Sequence, residues 1–173
     1  MIHLFSVIIL LSSSAPAMAQ GHNRGHDPSP YAGSPQHATK ALSDQQIADY
    51  RTGRGMGLAL AAELNGYPGP LHVLDLSDQL KLTSDQRQLV RNLYEQMKME
   101  AISLGQKVVA YEEALDREFA DRKVTASSLA SRTSDIGTLQ GELRAVHLKY
   151  HLITAELLTP EQARMYAELR GYR

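Results

Sequence analysis

Two histidines one helical turn apart are the sharpest chemical feature of the sequence. His147 and His151 are four residues apart, and on a helix that spacing places both imidazoles on one face, where they can share a metal ion. An antiparallel arrangement would bring His72 to the end of their helix as a third ligand, and Glu63 or Glu156 could add an oxygen. Such a ligand set suits zinc, copper(II), nickel or cobalt. The alternative is a histidine pair that packs and hydrogen-bonds at a helix interface without metal.

Residues that commonly support catalysis are missing or scattered. The chain contains no Cys, which excludes a thiolate nucleophile, a thiolate metal ligand and a disulfide. The run Gly53-x-Gly55-x-Gly57 lacks the preceding strand that a phosphate-binding loop requires. No Ser, His and Asp are spaced so that helices would gather them in one pocket. The sequence therefore predicts a protein that acts by binding and is not an enzyme.

The charge balance argues against nucleic acid as the bound partner. Eighteen Lys and Arg residues stand against 19 Asp and Glu residues, with a formal net charge of -1. A nucleic-acid binder normally shows a basic excess that can neutralise phosphates. We therefore expect the partner to be a protein, an ion or a small molecule.

The N-terminus has the pattern of an exported protein. An apolar run over residues 2–11 and a Ser-rich stretch precede Ala17-Met18-Ala19, which predicts a signal peptide over residues 1–19 that is cleaved after Ala19. The apolar run is shorter than the roughly 20 residues that span a bilayer. Residues 20–42 are rich in Gly, Pro, Ser and His, a composition that predicts a disordered leader.

The rest of the chain shows helical periodicity and strong helix-start signals. Residues 43–70 predict a short helical segment that opens at a Ser43 cap and closes at a Tyr-Pro-Gly-Pro turn. Thr83 and Thr125 are placed to cap two long amphipathic helices joined by a short turn. Residues 71–173 are therefore predicted to form a long antiparallel helical hairpin with short flanking helices, and the fold class is all-α.

The same five-residue motif, Leu-Thr-x-x-Gln, occurs at the start of the first long helix and again at the end of the second. The residues of the two copies are Leu82, Thr83, Gln86, Leu158, Thr159 and Gln162. In each copy Thr and Gln form the pattern of a capping box. With its exported leader, the region from Leu71 to Tyr172 resembles the periplasmic LTxxQ-motif family that includes Spy, CpxP, ZraP and CnrX.

The resemblance implies two functions that stay open here. The first is a Spy/CpxP-like periplasmic stress chaperone or adaptor, a cradle-like homodimer that binds unfolded or envelope proteins without ATP and requires no cofactor. The second is a CnrX/ZraP-like heavy-metal sensor or buffer that reports to a membrane-bound partner. The CnrX pattern of His-x-x-x-His and His-x-x-x-Met is not reproduced, because Leu76 follows His72 and His151 follows His147 in the corresponding places.

A two-helix hairpin has too little interior to cover all of its apolar stripes. We therefore expect some apolar side chains of the first long helix to remain available to a second subunit or a client, with ordinary core packing as the alternative. The candidates for this surface are Met97, Met99, Ile102 and Val109.

Overall fold

The computed structural model describes residues 39–172, and this part of the chain contains six α-helices. The helices are α1 (Asp44–Thr52), α2 (Leu60–Glu63), α3 (Pro70–Asp75), α4 (Ser84–Ala120), α5 (Ala126–Leu157) and α6 (Pro160–Leu169). These residues belong to one unit and contain no strand, which confirms the all-α fold class. The predicted signal peptide and most of the predicted leader lie outside the described residues. None of the six helices combines the length and apolar character needed to cross a membrane.

The long helices α4 and α5 form the predicted antiparallel hairpin. Near the turn, Arg132 Nε lies 2.9 Å from Glu118 Oε1. Farther away, Lys149 Nζ lies 2.8 Å from Glu100 Oε2. The paired positions move away from the turn in opposite chain directions, as antiparallel helices require. The hairpin thus consists of two packed antiparallel helices of 37 and 32 residues.

The predicted helix starts are confirmed at the atomic level. A hydroxyl accepts the backbone N–H three residues ahead at Ser43, Thr83, Thr125 and Thr159, and each time the residue at that third position returns a contact to the cap. Each arrangement satisfies two backbone N–H groups that a helix start would otherwise leave unpaired. The local sequence therefore decides where these four helices begin.

The two Leu-Thr-x-x-Gln motifs meet through their glutamines. Gln86 Nε2 donates to Gln162 Oε1 at 2.9 Å, and Gln162 Nε2 donates back to Gln86 Oε1 at 3.1 Å. Gln86 also donates to the Leu157 carbonyl at 2.9 Å, and Gln162 to the Leu80 carbonyl at 3.3 Å. Each side chain therefore caps its own helix and contacts the opposite motif. The sequence predicted the caps but not this pairing.

The motif leucines share one hydrophobic core beneath the glutamine pair. Leu82 and Leu158 are buried there together with side chains from α3, α4 and α6. The other buried members are Val73, Leu80, Val90 and Tyr166. Burial of apolar area at roughly 25 cal/mol per Å² holds α3 and α6 against the open end of the hairpin.

The segment before α4 is shorter in helix than expected. Within the predicted helical segment of residues 43–70, the apolar stretch from Met56 to Leu64 is helical only over Leu60–Glu63, which is α2. Met56 and Gly57 have φ angles of 44° and 75°, in the left-handed region that interrupts a right-handed helix. After this stretch, α3 ends at Asp75 and is followed by turns up to residue 81.

The prediction of an exposed apolar surface on α4 is wrong for two of its four residues. One of them, Val109, is covered by α1 and the residues just before it. Val109 is buried in a small core with Leu42 and Ile47. A Cβ on Gly105 would collide with the Tyr50 carbonyl group, so this glycine permits the close approach of α1. The residues just before α1 therefore pack on α4, although the predicted leader extended to residue 42. Met97 of the predicted surface is buried as well.

We expect the Gln86–Gln162 pair to couple the two motifs energetically. Gln86→Ala and Gln162→Ala should each lower the free energy of unfolding by about 1–3 kcal/mol. Each substitution removes both a capping hydrogen bond and the hydrogen bonds to the opposite motif. The double variant should lose less than the two singles together by about 0.5–3 kcal/mol. Urea unfolding of the four proteins measures this coupling. Gln46→Ala is the matched control, because Gln46 caps α1 in the same way and should cost about 1 kcal/mol or less.

Candidate functional site

A buried carboxylate is the centre of the candidate site. Glu63, at the end of α2, is almost completely buried, and three neutral groups donate hydrogen bonds to it. They are the Tyr166 hydroxyl, the Tyr172 hydroxyl at 3.1 Å and the Gly69 backbone N–H at 3.3 Å. Burial raises the pKa of Tyr166 far above its ordinary range, and the hydrogen bond and charge of Glu63 add to this. The Tyr166 hydroxyl therefore stays a donor at physiological pH.

Three basic side chains surround the same carboxylate. His72 Nδ1 lies 3.4 Å from Glu63 Oε1, and Arg170 Nε lies 3.5 Å from the same oxygen. His151 Nδ1 lies 3.5 Å from Oε2. A buried anion is tolerated only with such compensation, because removing it from water is expensive. The carboxylate thus draws α2, α3, α5 and the chain after α6 into one cluster.

The orientation of His151 is fixed from two sides. Its Nδ1 lies 2.7 Å from the Tyr67 carbonyl oxygen. A carbonyl only accepts, so Nδ1 carries a hydrogen and donates it. On the other side of the ring, a Cβ on Gly69 would lie 2.8 Å from both Cε1 and Nε2 of His151. The absence of a side chain at Gly69 therefore makes room for the imidazole.

His147 occupies a drier environment one turn earlier on α5. Its side chain is buried, and its Nε2 has no hydrogen-bond partner in the described part of the chain. Burial lowers the pKa of His147, and repulsion from His151 adds to the shift. The imidazole is therefore neutral near pH 7.

The predicted metal ligands are gathered only in part. His72 and His151 contact Glu63, and His147 lines the same cavity. The alternative oxygen donor, Glu156, is exposed. Between residues 39 and 172, no group of three or more His, Asp or Glu side chains is arranged to hold a metal ion.

A cavity of about 680 Å³ opens beside this cluster. This volume is within the range of small-molecule sites in proteins. Its walls come from the loop after α1, from α2 and α3, from the inner faces of α4 and α5, and from the C-terminal residues. The walls include Arg54, Met56, Leu60, Glu63, Leu71, His72, Tyr94, Met97, His147, His151, Arg170 and Tyr172.

Large apolar side chains are exposed along residues 56–71, around this cavity. Leu60 and Leu64 are 55% and 58% exposed. Met56, Tyr67 and Leu71 are also exposed, and Met56, Leu60 and Leu71 line the cavity. Of the surface predicted on α4, Met99 is exposed and Ile102 is half-buried. Residues 56–71, which precede the hairpin, therefore carry a group of exposed apolar side chains that the predicted surface on α4 did not include.

Sequence reasoning did not predict that Glu63 lies at the centre of the site, nor that its partners come from the C-terminal residues. Tyr166, Arg170 and Tyr172 are more than 100 residues away in the chain, and no local pattern joins them to α2. The one available signal was a single acidic residue within the apolar stretch Met56–Leu64, since a charge that follows an apolar stretch into the core needs buried partners.

The chain matches no protein-family model, no curated protein and no solved structure in the comparisons made.

The neutral His147 should make the protein less stable in mild acid. Its folded-state pKa lies below the ordinary value of about 6.5, so the unfolded chain takes up a proton first as the pH falls. The stabilisation is complete above about pH 6.5 and is lost as the pH falls toward the folded-state pKa, by up to 1.4 kcal/mol per pH unit. His147→Leu should flatten the dependence of the unfolding free energy between pH 7 and pH 5. An NMR titration midpoint for His147 at or above 6.5 would contradict this.

Proposed function

We propose that the protein is an exported, periplasmic, non-enzymatic binding protein that acts as a stress chaperone or adaptor of the Spy/CpxP kind. The observation that carries the proposal is the exposed apolar surface along residues 56–71. Monomeric soluble proteins rarely keep such a surface without a partner. The bound partner is an unfolded or envelope protein with apolar segments, and binding needs no ATP.

The construction of this surface supports reversible and tolerant binding. Met56 is a flexible, polarisable side chain that adapts to differently shaped partners. The surface lies on turns and a four-residue helix, while the capped hairpin behind it is a firm support. Binding to apolar surface gains affinity without reading a defined sequence, which suits a chaperone.

Charge at the exposed leucines should abolish client protection. Leu60→Asp/Leu64→Asp is expected to lose most of the suppression of aggregation of a reduced or heat-unfolded client, because each charge would have to be desolvated. Light scattering measures the suppression, and circular dichroism checks the fold. Leu129→Asp is the matched control, since Leu129 is an exposed leucine near the hairpin turn.

Full protection by the double variant, or equal loss in the control, would overturn the assignment of the surface to residues 56–71. The absence of protection by the wild-type chain would overturn the chaperone proposal itself. The molar mass of each variant in solution is measured alongside, because the resemblance also predicts a homodimer.

A second candidate function is metal binding, which is supported only by the distances between pairs of donors around Glu63, since no three of these side chains are arranged to hold an ion as they stand. Tetrahedral ligands about 2.1 Å from one ion lie about 3.4 Å from each other. The Nδ1 atoms of His72 and His151 are 3.4 and 3.5 Å from the Glu63 oxygens. A metal on His151 Nδ1 would replace its hydrogen bond to the Tyr67 carbonyl. His147 is one turn away as a further nitrogen donor.

Calorimetric titration of the mature chain with zinc, copper(II) and nickel tests this second function. If the cluster binds metal, His147→Ala/His151→Ala should weaken binding at least 100-fold, because two ligands are lost. The control replaces His22, His26 and His37 of the leader by Ala and should keep the tight site. Metal binding that disappears only in the control would assign it to the leader and exclude the cluster.

A further inference from the structure

The cavity beside Glu63 has apolar walls suited to a hydrocarbon chain. Met56, Leu60 and Leu71 stand at its margin, and Met97 and the ring of Tyr94 contribute from α4. The three margin residues are exposed in the chain by itself. A ligand chain inside the cavity would cover them and gain roughly 25 cal/mol for each Å² of apolar surface removed from water.

Among the charged side chains of the cavity, the arginines are more exposed than the carboxylates. The Arg54 and Arg170 side chains are 69% and 33% exposed, whereas those of Asp49 and Glu63 are 17% and 6% exposed. Each arginine is paired with one of these carboxylates, Arg54 Nη1 with Asp49 Oδ1 at 3.4 Å and Arg170 Nε with Glu63 Oε1 at 3.5 Å, and in each pair the guanidinium is the more exposed partner. Such an arrangement attracts an anionic ligand group and offers little to a cationic one.

The hydrogen-bonding groups show the same preference. Glu63 already accepts from three neutral donors, and Asp49 accepts from Gln45 at 2.8 Å and from Arg54 Nη1 at 3.4 Å. Arg170 uses Nη2 to donate to the Tyr172 hydroxyl at 3.1 Å and directs Nε toward Glu63. A guanidinium has five N–H groups, so these contacts leave Arg170 able to donate to a carboxylate as well.

We propose that this cavity binds an amphipathic carboxylate, a medium-chain fatty acid, with the hydrocarbon chain against Met56, Leu60, Leu71 and Met97 and the carboxylate at Arg54 and Arg170. The site goes beyond the proposed chaperone function and does not depend on it, because its test contains no client protein. Met56, Leu60 and Arg54 of this site lie before the region that resembles the LTxxQ family.

Calorimetric titration of the full mature chain with decanoate, dodecanoate and decyltrimethylammonium, all below their micelle concentrations, tests the ligand class. Dodecanoate should bind roughly 15-fold more tightly than decanoate, the factor expected for burial of two further CH₂ groups. Decyltrimethylammonium should bind at least tenfold more weakly than decanoate. Vesicles of an anionic phospholipid should not bind, because the cavity encloses one chain.

Variants test where the ligand lies. Arg170→Gln and Arg54→Gln should each weaken dodecanoate binding about tenfold, the loss of one charged hydrogen bond. Arg54 is well exposed, so its variant keeps the proposal testable if Arg170→Gln fails to fold. Arg164→Gln is the matched control on α6, where Arg164 pairs with Glu168 at 2.8 Å, and its binding should equal that of the wild type.

Four results would overturn the proposal. The first is that neither decanoate nor dodecanoate binds, and the second is that decanoate and decyltrimethylammonium bind equally. The third is that affinity does not rise with chain length, and the fourth is that the protein binds vesicles but not the dissolved fatty acid. Equal weakening in Arg164→Gln and Arg54→Gln would also exclude this cavity, since it would show a general effect of surface charge. None of these results depends on whether the chain protects an unfolded client.

Discussion

The burial of the Glu63 charge is the constraint on which this end of the molecule depends. A carboxylate withdrawn from water must be hydrogen-bonded and compensated by charge. Its partners come from the turn before α3, from α3 and α5, and from the C-terminal residues. Because one side chain collects them, the segment before the hairpin cannot move far without leaving the charge unpaired. The cavity wall is fixed as a result.

A second polar contact stabilises the same end of the hairpin. The Gln86–Gln162 pair joins the starts of α4 and α6 above a shared apolar core. The contacts nearer the turn are of another kind, such as the exposed ion pair between Lys40 and Asp116, and surface ion pairs contribute little to stability. The open end of the hairpin is therefore the better support for a binding site, since ligand-contacting groups need a fixed frame.

The chain combines a capped helical hairpin with a segment before it that exposes apolar side chains. The Leu-Thr-x-x-Gln motifs account for the capped and joined helices. A group of exposed apolar side chains and most of the cavity wall come from residues 43–71, which precede the first motif.

The sequence by itself determined the all-α class, the hairpin and the helix starts, because a cap involves residues only three positions apart and an amphipathic stripe repeats every turn. It also predicted that His72 lies close to His147 and His151. Only the tertiary structure decided that α1 covers Val109, that Gln86 meets Gln162, and that Glu63 collects Tyr166 and Arg170. These contacts join residues between about 60 and 110 positions apart. They depend on the packing of whole helices, which no local pattern records.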